Sequence, residues 1–361
     1  MPTTKRVFIL GAGFSKPAEM PLATELLPLL TQKLDLDEMR QWLEWLCERL
    51  AWLSGNDQRA GSITQNIEQV FHNAHFDIEV HRLRQHLSPV GPHDGPGTPS
   101  NAAASISAWL SYLEEALCDV ILEKDDQADL APIIRWAGTI DSSDTVMTFN
   151  YDTLVERALS GVGKTWNHGT GREGDSGITV CKMHGSIDWI VANRSDPLSK
   201  LDLLFDKPNA NRTEQNTGHI EEDFLLWRCQ TREQLQNWMS DRDLQWIPRD
   251  ASPPTVGIAG LGAYKQLHRI PGLGRVWTSG MQALSAADVC VVVGFSMSDF
   301  DAMAQMLFAE VARKRRDESR PLPVIVIDPS ANDESKVRFR RVFRHVDFVK
   351  SLHEVIDWNC Y

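Results

Sequence analysis

Short apolar segments alternate with longer amphipathic stretches along this chain. The apolar segments are four to six residues long, a length typical of buried strands. They are Val7–Leu10, Thr145–Phe149, Ile178–Met183, Asp288–Val293 and Val324–Ile327. Several are followed by a turn and a helical pattern, such as Tyr151–Leu159 and Met303–Arg313. This alternation predicts an α/β fold, an open parallel sheet with helices on both faces.

Only helical patterns occupy the stretch between the first and second predicted strands. They cover Leu26–Leu53, Asn66–Phe76, Ile78–Leu87 and Ala102–Leu122, with a loop at Gly91–Ser100. Residues 31–137 are therefore predicted to be a large helical insertion or cap. Residues 1–30 and 138–361 are predicted to form a Rossmann-like core with a polar excursion at 193–250. Tryptophans broaden the leucine face of Trp42–Trp52, which predicts core packing, with a subunit contact as the alternative.

Composition and charge narrow the class of protein. Apolar residues make up 42% of the 361 positions, enough for a sizeable core. The net charge of −12 argues against a whole-protein binder of nucleic acid or anionic membranes. Residues 310–350 are nevertheless net basic. A solvated helix face explains such a segment, and contact with an acidic partner or with nucleotide phosphates is the alternative.

The location of the protein is predicted from its apolar runs and its cysteines. No apolar run approaches the roughly 18 residues that span a bilayer, and no signal peptide is evident. None of the six cysteines lies within four positions of another, which excludes a Cys-x-x-Cys zinc ribbon. Scattered thiols favour a reducing compartment. We therefore expect a cytoplasmic protein that does not bind a membrane.

Four polar turns follow predicted strands, which is where ligands bind in open parallel sheets. They are Gly11-Ala-Gly-Phe-Ser15, Phe149-Asn-Tyr-Asp152, His184-Gly-Ser186 and Gly294-Phe-Ser-Met-Ser-Asp299. Gly11 and Gly13 permit a tight turn that approaches a pyrophosphate. Lys16, however, stands where the dinucleotide fingerprint has its third glycine. An ordinary strand-turn-helix connection is the alternative.

Each of the other turns also has a structural explanation. Asn150 and Asp152 are good helix caps, and a lone histidine such as His184 is more often structural than catalytic. The histidines between positions 72 and 93 lack the His-Glu-x-x-His spacing, so we expect no metal. Gly163-Lys164-Thr165 follows a predicted helix rather than a strand, which argues against a P-loop.

Taken together and in order, the four turns resemble the nucleotide-binding core of the sirtuin family. That family carries Gly-Ala-Gly-x-Ser, Thr-Gln-Asn-Ile-Asp, His-Gly-Ser and Gly-x-Ser. The matching segments here are Gly11-Ala-Gly-Phe-Ser15, Thr148-Phe-Asn-Tyr-Asp152, His184-Gly-Ser186 and Gly294-Phe-Ser296. The helix Asn66–Phe71, the segment Pro253-Pro-Thr255 and the turn Gly294–Asp301 are more similar to bacterial sirtuin-like domains of anti-phage defence.

One departure from the family bears on the reaction. Deacylase sirtuins hold a four-cysteine zinc module after the catalytic histidine. Here only Cys229 lies between His184 and Cys290. The resemblance therefore implies the defence type, whose members lack the module and hydrolyse NAD. It implies NAD as the substrate and no metal cofactor.

The bond to be cleaved suits this residue set. The nicotinamide of NAD leaves as a neutral pyridine, so no acid is needed for the leaving group. By resemblance, Asn150 orients the ribose hydroxyls or the water, and His184 accepts a proton from one of them. The resemblance further implies that Asp152 holds the nicotinamide carboxamide and that Asp328 contacts the adenosine ribose. The other positions implied to bind NAD are Gly11, Ala12, Gly13, Phe14, Ser15, Gly185, Gly294 and Ser296.

The predicted function is an NAD(+) glycohydrolase, a regulated NAD-depleting effector of anti-phage defence. An NAD-dependent deacylase or ADP-ribosyltransferase, and a subunit that senses NAD or ADP-ribose without turnover, are the alternatives. An unregulated NADase would harm its own cell, so we expect a resting state controlled by homo-oligomerisation or by a partner ATPase or sensor. The Trp42–Trp52 face and residues 310–350 are the expected contact surfaces, with no direct role for nucleic acid.

Overall fold

A computed structural model provides the structure of the chain. It describes residues 4–34, 37–53, 66–87, 99–169, 176–193, 219–221, 224–228, 255–259, 270, 272–329 and 331–350. Residues 91–98 of the predicted loop Gly91–Ser100, most of the polar excursion at 193–250, and Pro253 and Pro254 lie outside these residues. The last two residues of that loop, Pro99 and Ser100, were wrongly predicted, because they begin a helix. No helix in the described ranges is both long and apolar enough to cross a membrane.

A seven-stranded sheet, parallel throughout, forms the centre of the molecule. Its strands are β1 (Arg6–Leu10), β2 (Thr145–Thr148), β3 (Trp166–Asn167), β4 (Ile178–Lys182), β9 (Val289–Val293), β10 (Val324–Ile327) and β11 (Val346–Val349). They lie in the order β11-β10-β9-β1-β2-β4-β3. The predicted open parallel sheet is therefore confirmed.

A second sheet of four antiparallel strands follows β4 along the chain. Its strands are β5 (Gly185–Asn193), β6 (His219–Glu221), β7 (Phe224–Arg228) and β8 (Thr255–Ile258), in the order β6-β7-β5-β8. The sequence pattern did not predict this sheet. Its strands β6 and β7 lie in the predicted polar excursion, where the apolar run Phe224–Trp227 is a strand signal that the prediction overlooked.

Ten α-helices are described, and the described residues between β1 and β2 contain no strand. The helices are α1 (Ala12–Ser15), α2 (Ala23–Lys33), α3 (Asp37–Leu53), α4 (Ile67–Leu87), α5 (Pro99–Gln127), α6 (Ala131–Gly138), α7 (Leu154–Gly161), α8 (Leu273–Ala286), α9 (Ala302–Asp317) and α10 (Asp333–Val342). Two short 3-10 turns lie at Lys16–Ala18 and Asp299–Asp301.

Two predicted helix boundaries were wrong. The pattern over Leu26–Leu53 belongs to α2 and α3, because Leu34 takes an extended conformation (φ −78°, ψ 117°) that ends α2. The patterns Asn66–Phe76 and Ile78–Leu87 belong to α4 alone. That segment contains neither glycine nor proline, so nothing in its backbone breaks the helix.

Helices cover both faces of the parallel sheet, as predicted. Alternate residues of β1 point to opposite faces: Phe8 and Leu10 belong to one buried cluster, and Val7 and Ile9 to the other. The first cluster continues into α2 to α7, and the second into α8, α9 and α10. The helices between β1 and β2 thus share their core with the sheet.

The strand order reverses at β1. The chain proceeds from β1 to β2 on one side, whereas β9 pairs with the other side of β1. Leu10 lies level with Thr148 on β2 and with Val293 on β9, so the turns that follow these strands lie side by side. Such a switch point forms a crevice at the carboxyl ends of the strands.

Candidate active site

The turns after β1 and β9 pack against each other through their backbones. The amide of Gly11 donates to the carbonyl of Val293 (3.1 Å), and that of Gly13 to Gly294 (2.9 Å). A Cβ on Gly11 would lie 2.6 Å from the Gly294 carbonyl oxygen, and one on Gly13 2.8 Å from the Gly294 Cα. Gly294 itself has a φ of +60°, in the left-handed region. Close backbone packing therefore requires these glycines, whether or not a ligand binds.

Asn150 and Ser15 join the turn after β2 to the turn after β1. The Asn150 amide group donates to the Gly11 carbonyl oxygen (3.0 Å) and to Ser15 Oγ (2.9 Å). Ser15 Oγ in turn donates to Asp152 Oδ2 (2.8 Å). All three side chains are buried. The sequence-predicted residues thus form a continuous hydrogen-bonded chain beneath the crevice.

Asp152 lies one residue before Thr153, the N-cap of α7, and forms an Asx turn with the start of the helix. Its Oδ1 accepts from the backbone amide of Leu154 (3.3 Å), the first residue of α7. Burial raises the pKa of Asp152 to about 6, and the Lys182 ammonium opposes that rise. Lys182 is fully buried, donates to the carbonyl oxygen of Asp152 and lies 3.5 Å from the Glu156 carboxylate. The predicted contact of Asp152 with a nicotinamide carboxamide stays a prediction.

His184 lies at the end of β4 and pairs with a carboxylate that we did not predict. Its Nε2 is 3.1 Å from Oδ1 of Asp301, and both side chains are buried (4% and 7% exposed). The Phe149 ring meets the imidazole edge-on, with centroids 4.9 Å apart, and stacks on Phe295 at 4.4 Å. Phe149 thereby links His184 to the turn after β9, one residue away from Asn150.

The turn after β9 takes an unusual shape that is fixed by several bonds. Met297 has a φ of +52°, uncommon for a residue with a side chain. Ser298 Oγ caps the following 3-10 turn by accepting from Phe300 N (3.2 Å). Gln305 of α9 donates its side-chain amide to the carbonyl oxygens of Met297 (3.2 Å) and Ser298 (2.9 Å). These contacts determine where Asp301, three residues further on, enters the site.

Tyr151 and helix α4 border the same region. The Tyr151 hydroxyl donates to the Ala259 carbonyl oxygen (3.4 Å). Burial raises the Tyr151 pKa well above its usual value, and the Glu68 and Asp301 carboxylates raise it further. His72 of α4 lies 5.8 Å from the Phe300 ring, centroid to centroid. One helix of the predicted insertion therefore lies beside the His184 and Asp301 pair.

The remaining predicted positions are more spread out. Ala12 and Ser296 are exposed on the two packed turns, whereas Phe14 is buried against Trp136 at 4.8 Å. Gly185 starts β5 and packs against the backbone of Gly257. Asp328 is half-buried at the end of β10. Across the described ranges, no three His, Cys, Asp or Glu side chains are grouped to hold a metal ion.

Sequence reasoning missed Asp301, Lys182 and Asp125, the last of which binds Thr153 from α5. Asp301 lies at the end of a segment that the sequence did single out, so proximity to that turn was its only signal. Lys182 and Asp125 lie within an apolar strand and an amphipathic helix. From the sequence, each looks like a charged residue that faces solvent, so nothing marks it as buried.

No family model matches the chain, and no curated protein matches it. Among solved structures, the chain is similar to one titled "Sir2-p53 peptide-NAD+", at 13% identity over 98% of this chain and 92% of that chain, with a TM-score of 0.40. It is also similar to one titled "The Structural basis for Sirtuin Substrate affinity", at 11% identity over 98% and 92%, with a TM-score of 0.35. At these values, neither a family nor an activity follows from the likeness. The fold and site define an α/β protein with a Rossmann-like sheet and a polar switch-point crevice.

Proposed function

We propose that this chain is an NAD(+) glycohydrolase that cleaves NAD(+) to nicotinamide and ADP-ribose. One observation carries the proposal. The turns that resemble those of sirtuins lie around one switch point, where Asn150, His184 and two packed glycine turns come together. This is the position at which open parallel sheets bind nucleotides.

The reaction needs little from the protein beyond positioning and one base. The bond between C1′ of the ribose and the nicotinamide nitrogen breaks, and its electron pair stays on the nitrogen. A water oxygen bonds to C1′, and its proton passes to His184 and then to solvent. The buried imidazole beside Phe149 offers a base that bulk water does not reach freely. The ribose and the water must be held in a reactive orientation, which is the larger part of catalysis here.

We assign Asn150 to the ribose through its side-chain oxygen, because its amide hydrogens already bond Gly11 and Ser15. The exposed Ala12 and Ser296 are assigned to the pyrophosphate. Asp328 is assigned to the adenosine ribose, since β10 lies next to β9 at the switch point. A contact of Asp152 with the carboxamide requires its carboxyl group to share or release the Ser15 bond.

The test is nicotinamide release from NAD(+) by the purified protein, followed by chromatography, alone and with candidate activators. His184→Ala is expected to lower the rate at least about 100-fold, because a positioned general base contributes about that much. His345→Ala is the matched control, since that histidine is exposed and lies just before β11, at the edge of the sheet opposite to the crevice. If no condition releases nicotinamide, or if the two variants have equal rates, the proposal is wrong.

Binding without turnover is a second candidate, in which the chain senses NAD or ADP-ribose. The internal bonds of Asn150, Ser15 and Asp152 favour it, because these groups already satisfy one another. Calorimetry that detects ADP-ribose binding, with no nicotinamide released from NAD(+), would support this alternative. NAD-dependent deacylation or ADP-ribosyl transfer ranks below both, since only Cys229 lies between His184 and Cys290.

The biological setting that we propose is an NAD-depleting effector of bacterial anti-phage defence, located in the cytoplasm. Its resting activity is then low and is released by homo-oligomerisation or by a partner ATPase or sensor. Trp45 is half-exposed on α3, whereas Trp42 is buried against Trp109. Of the predicted tryptophan face, Trp45 is the described residue that remains suited to such a contact.

A further inference from the structure

We propose that Asp301 is the positioning residue for His184. It fixes which ring nitrogen carries the proton and stabilises the imidazolium that forms during the reaction. This inference rests on the proposed function for its catalytic part. Its structural part, the control of the His184 tautomer, does not depend on turnover.

His184 and Asp301 are in direct contact. Nε2 of His184 and Oδ1 of Asp301 are 3.1 Å apart, and both side chains are buried. A carboxylate at that distance favours a proton on Nε2. The lone pair of the neutral imidazole then resides on Nδ1, and we assign this nitrogen to take up the proton from water. The same arrangement of carboxylate, imidazole and reacting hydroxyl operates in hydrolytic triads, with the two nitrogens exchanged.

The conformation and the hydrogen bonds of the turn after β9 determine the position of Asp301. Gly294 and Met297 both take left-handed conformations between β9 and Asp301. The Gln305 side chain holds the carbonyl oxygens of Met297 and Ser298, and the Asp301 amide donates to Ser298 (2.9 Å). Left-handed residues with side chains persist only where the surrounding structure enforces them. This conformation of the turn after β9 places the buried Asp301 carboxylate beside His184.

Because Asp301 and His184 are both buried, the charge of Asp301 has a large effect on the protonation of His184. A buried carboxylate is costly unless a partner compensates it. The Phe149 ring, which meets the His184 imidazole edge-on, adds no charge of its own. Protonation of His184 converts this contact into a buried ion pair, so Asp301 stabilises the state in which the base has accepted its proton.

The test compares Asp301→Asn, which keeps the shape and removes the charge, with Asp299→Asn. Asp299 lies on the same 3-10 turn and is exposed, so it controls for the loss of one carboxylate. With NAD(+) as substrate, Asp301→Asn is expected to lower kcat roughly 10- to 100-fold with KM within about threefold. Asp299→Asn is expected to match the wild type. Equal kcat values for the two variants would overturn the proposal.

A second readout separates this inference from the proposed function. Nitrogen NMR of the imidazoles, with the His184 signal assigned by its loss in His184→Gln, is expected to show the Nε2-protonated tautomer. Asp301→Ala is expected to abolish that preference, and Asp301→Glu to restore it in part. If the wild type releases no nicotinamide, the proposed function fails, and the tautomer still decides the role of Asp301. An unchanged His184 signal in Asp301→Ala overturns the inference.

Discussion

At the scale of single residues, Asp152 shows how one side chain admits a structural and a functional interpretation. From the sequence, it was a possible helix cap or a ligand for nicotinamide. In the structure its carboxylate accepts from the Leu154 amide and the Ser15 hydroxyl, and its backbone carbonyl oxygen accepts from Lys182. Burial raises its pKa to about 6 from the ordinary 3.8. Because a raised carboxyl pKa favours the protonated form in the folded state, ionisation of Asp152 opposes folding.

This shift predicts a specific pH dependence. Between pH 4 and pH 6 the folded state binds more protons at Asp152 than the unfolded state, so its contribution to stability falls as the pH rises. Relative to Asp152→Asn, the wild type is expected to lose up to about 3 kcal/mol of unfolding free energy over this range. Urea unfolding of both proteins at several pH values measures the difference. Asp299→Asn controls for the loss of one carboxylate, and a constant difference between wild type and Asp152→Asn would contradict the argument.

At the scale of elements, the packing of two turns explains why glycine stands at 294. A Cβ there would overlap backbone atoms of Gly13 and Phe14, and the φ of +60° disfavours any L side chain. Gly294→Ala is therefore expected to lower the free energy of unfolding by about 2–4 kcal/mol. Gly138→Ala is the control, since a Cβ at the end of α6 meets nothing within 4 Å. It is expected to be neutral or to stabilise by up to about 1 kcal/mol. Chemical denaturation of both variants is the measurement, and equal effects would refute the packing argument.

The strands show how far local pattern predicts the elements. Val324–Ile327 forms β10 with the predicted bounds, because its four consecutive β-branched residues pair with β9 and β11, three of them buried and Ile325 half-buried. By contrast, β11 contains Asp347, and β3 has two residues, so neither carries a strand pattern of its own. These two strands form because β11 pairs with the free edge of β10, and β3 pairs with the free edge of β4. That edge is a property of the assembled sheet.

At the scale of the whole molecule, the candidate site was predictable only in part. The sequence placed the four turns at strand ends, and parallel pairing brings those ends to one edge. Which side chains then meet depends on contacts between distant segments, such as His184 with Asp301 and Asn150 with Ser15. No local pattern encodes the shape of the turn after β9 that brings Asp301 to His184. The partner of the predicted base was for this reason missed.

Asp125 links the helices between β1 and β2 to the segment that follows β2. Asp125 near the end of α5 is buried (4% exposed) and accepts from the backbone amide and the hydroxyl of Thr153, at 2.8 and 2.7 Å. Arg157 of α7 donates to it at 2.8 Å. Removing one partner of a buried charged network leaves the others unsatisfied, which costs about 3–5 kcal/mol. Asp125→Ala is expected to lose that much unfolding free energy.

The number of unfolding transitions in Asp125→Ala shows whether residues 31–137 unfold together with the sheet or independently of it. Since α2 to α7 share one buried cluster with the sheet, the described parts are expected to unfold together. Asp125→Ala should then shift a single transition, seen alike by circular dichroism and by tryptophan fluorescence, to lower denaturant. Its exposed neighbour provides the control, because Asp126→Ala removes a carboxylate from the same turn of α5 without touching Thr153. Two separated transitions in Asp125→Ala would instead mean that residues 31–137 fold as an independent cap, and that the site beside α4 can be uncovered without unfolding the sheet.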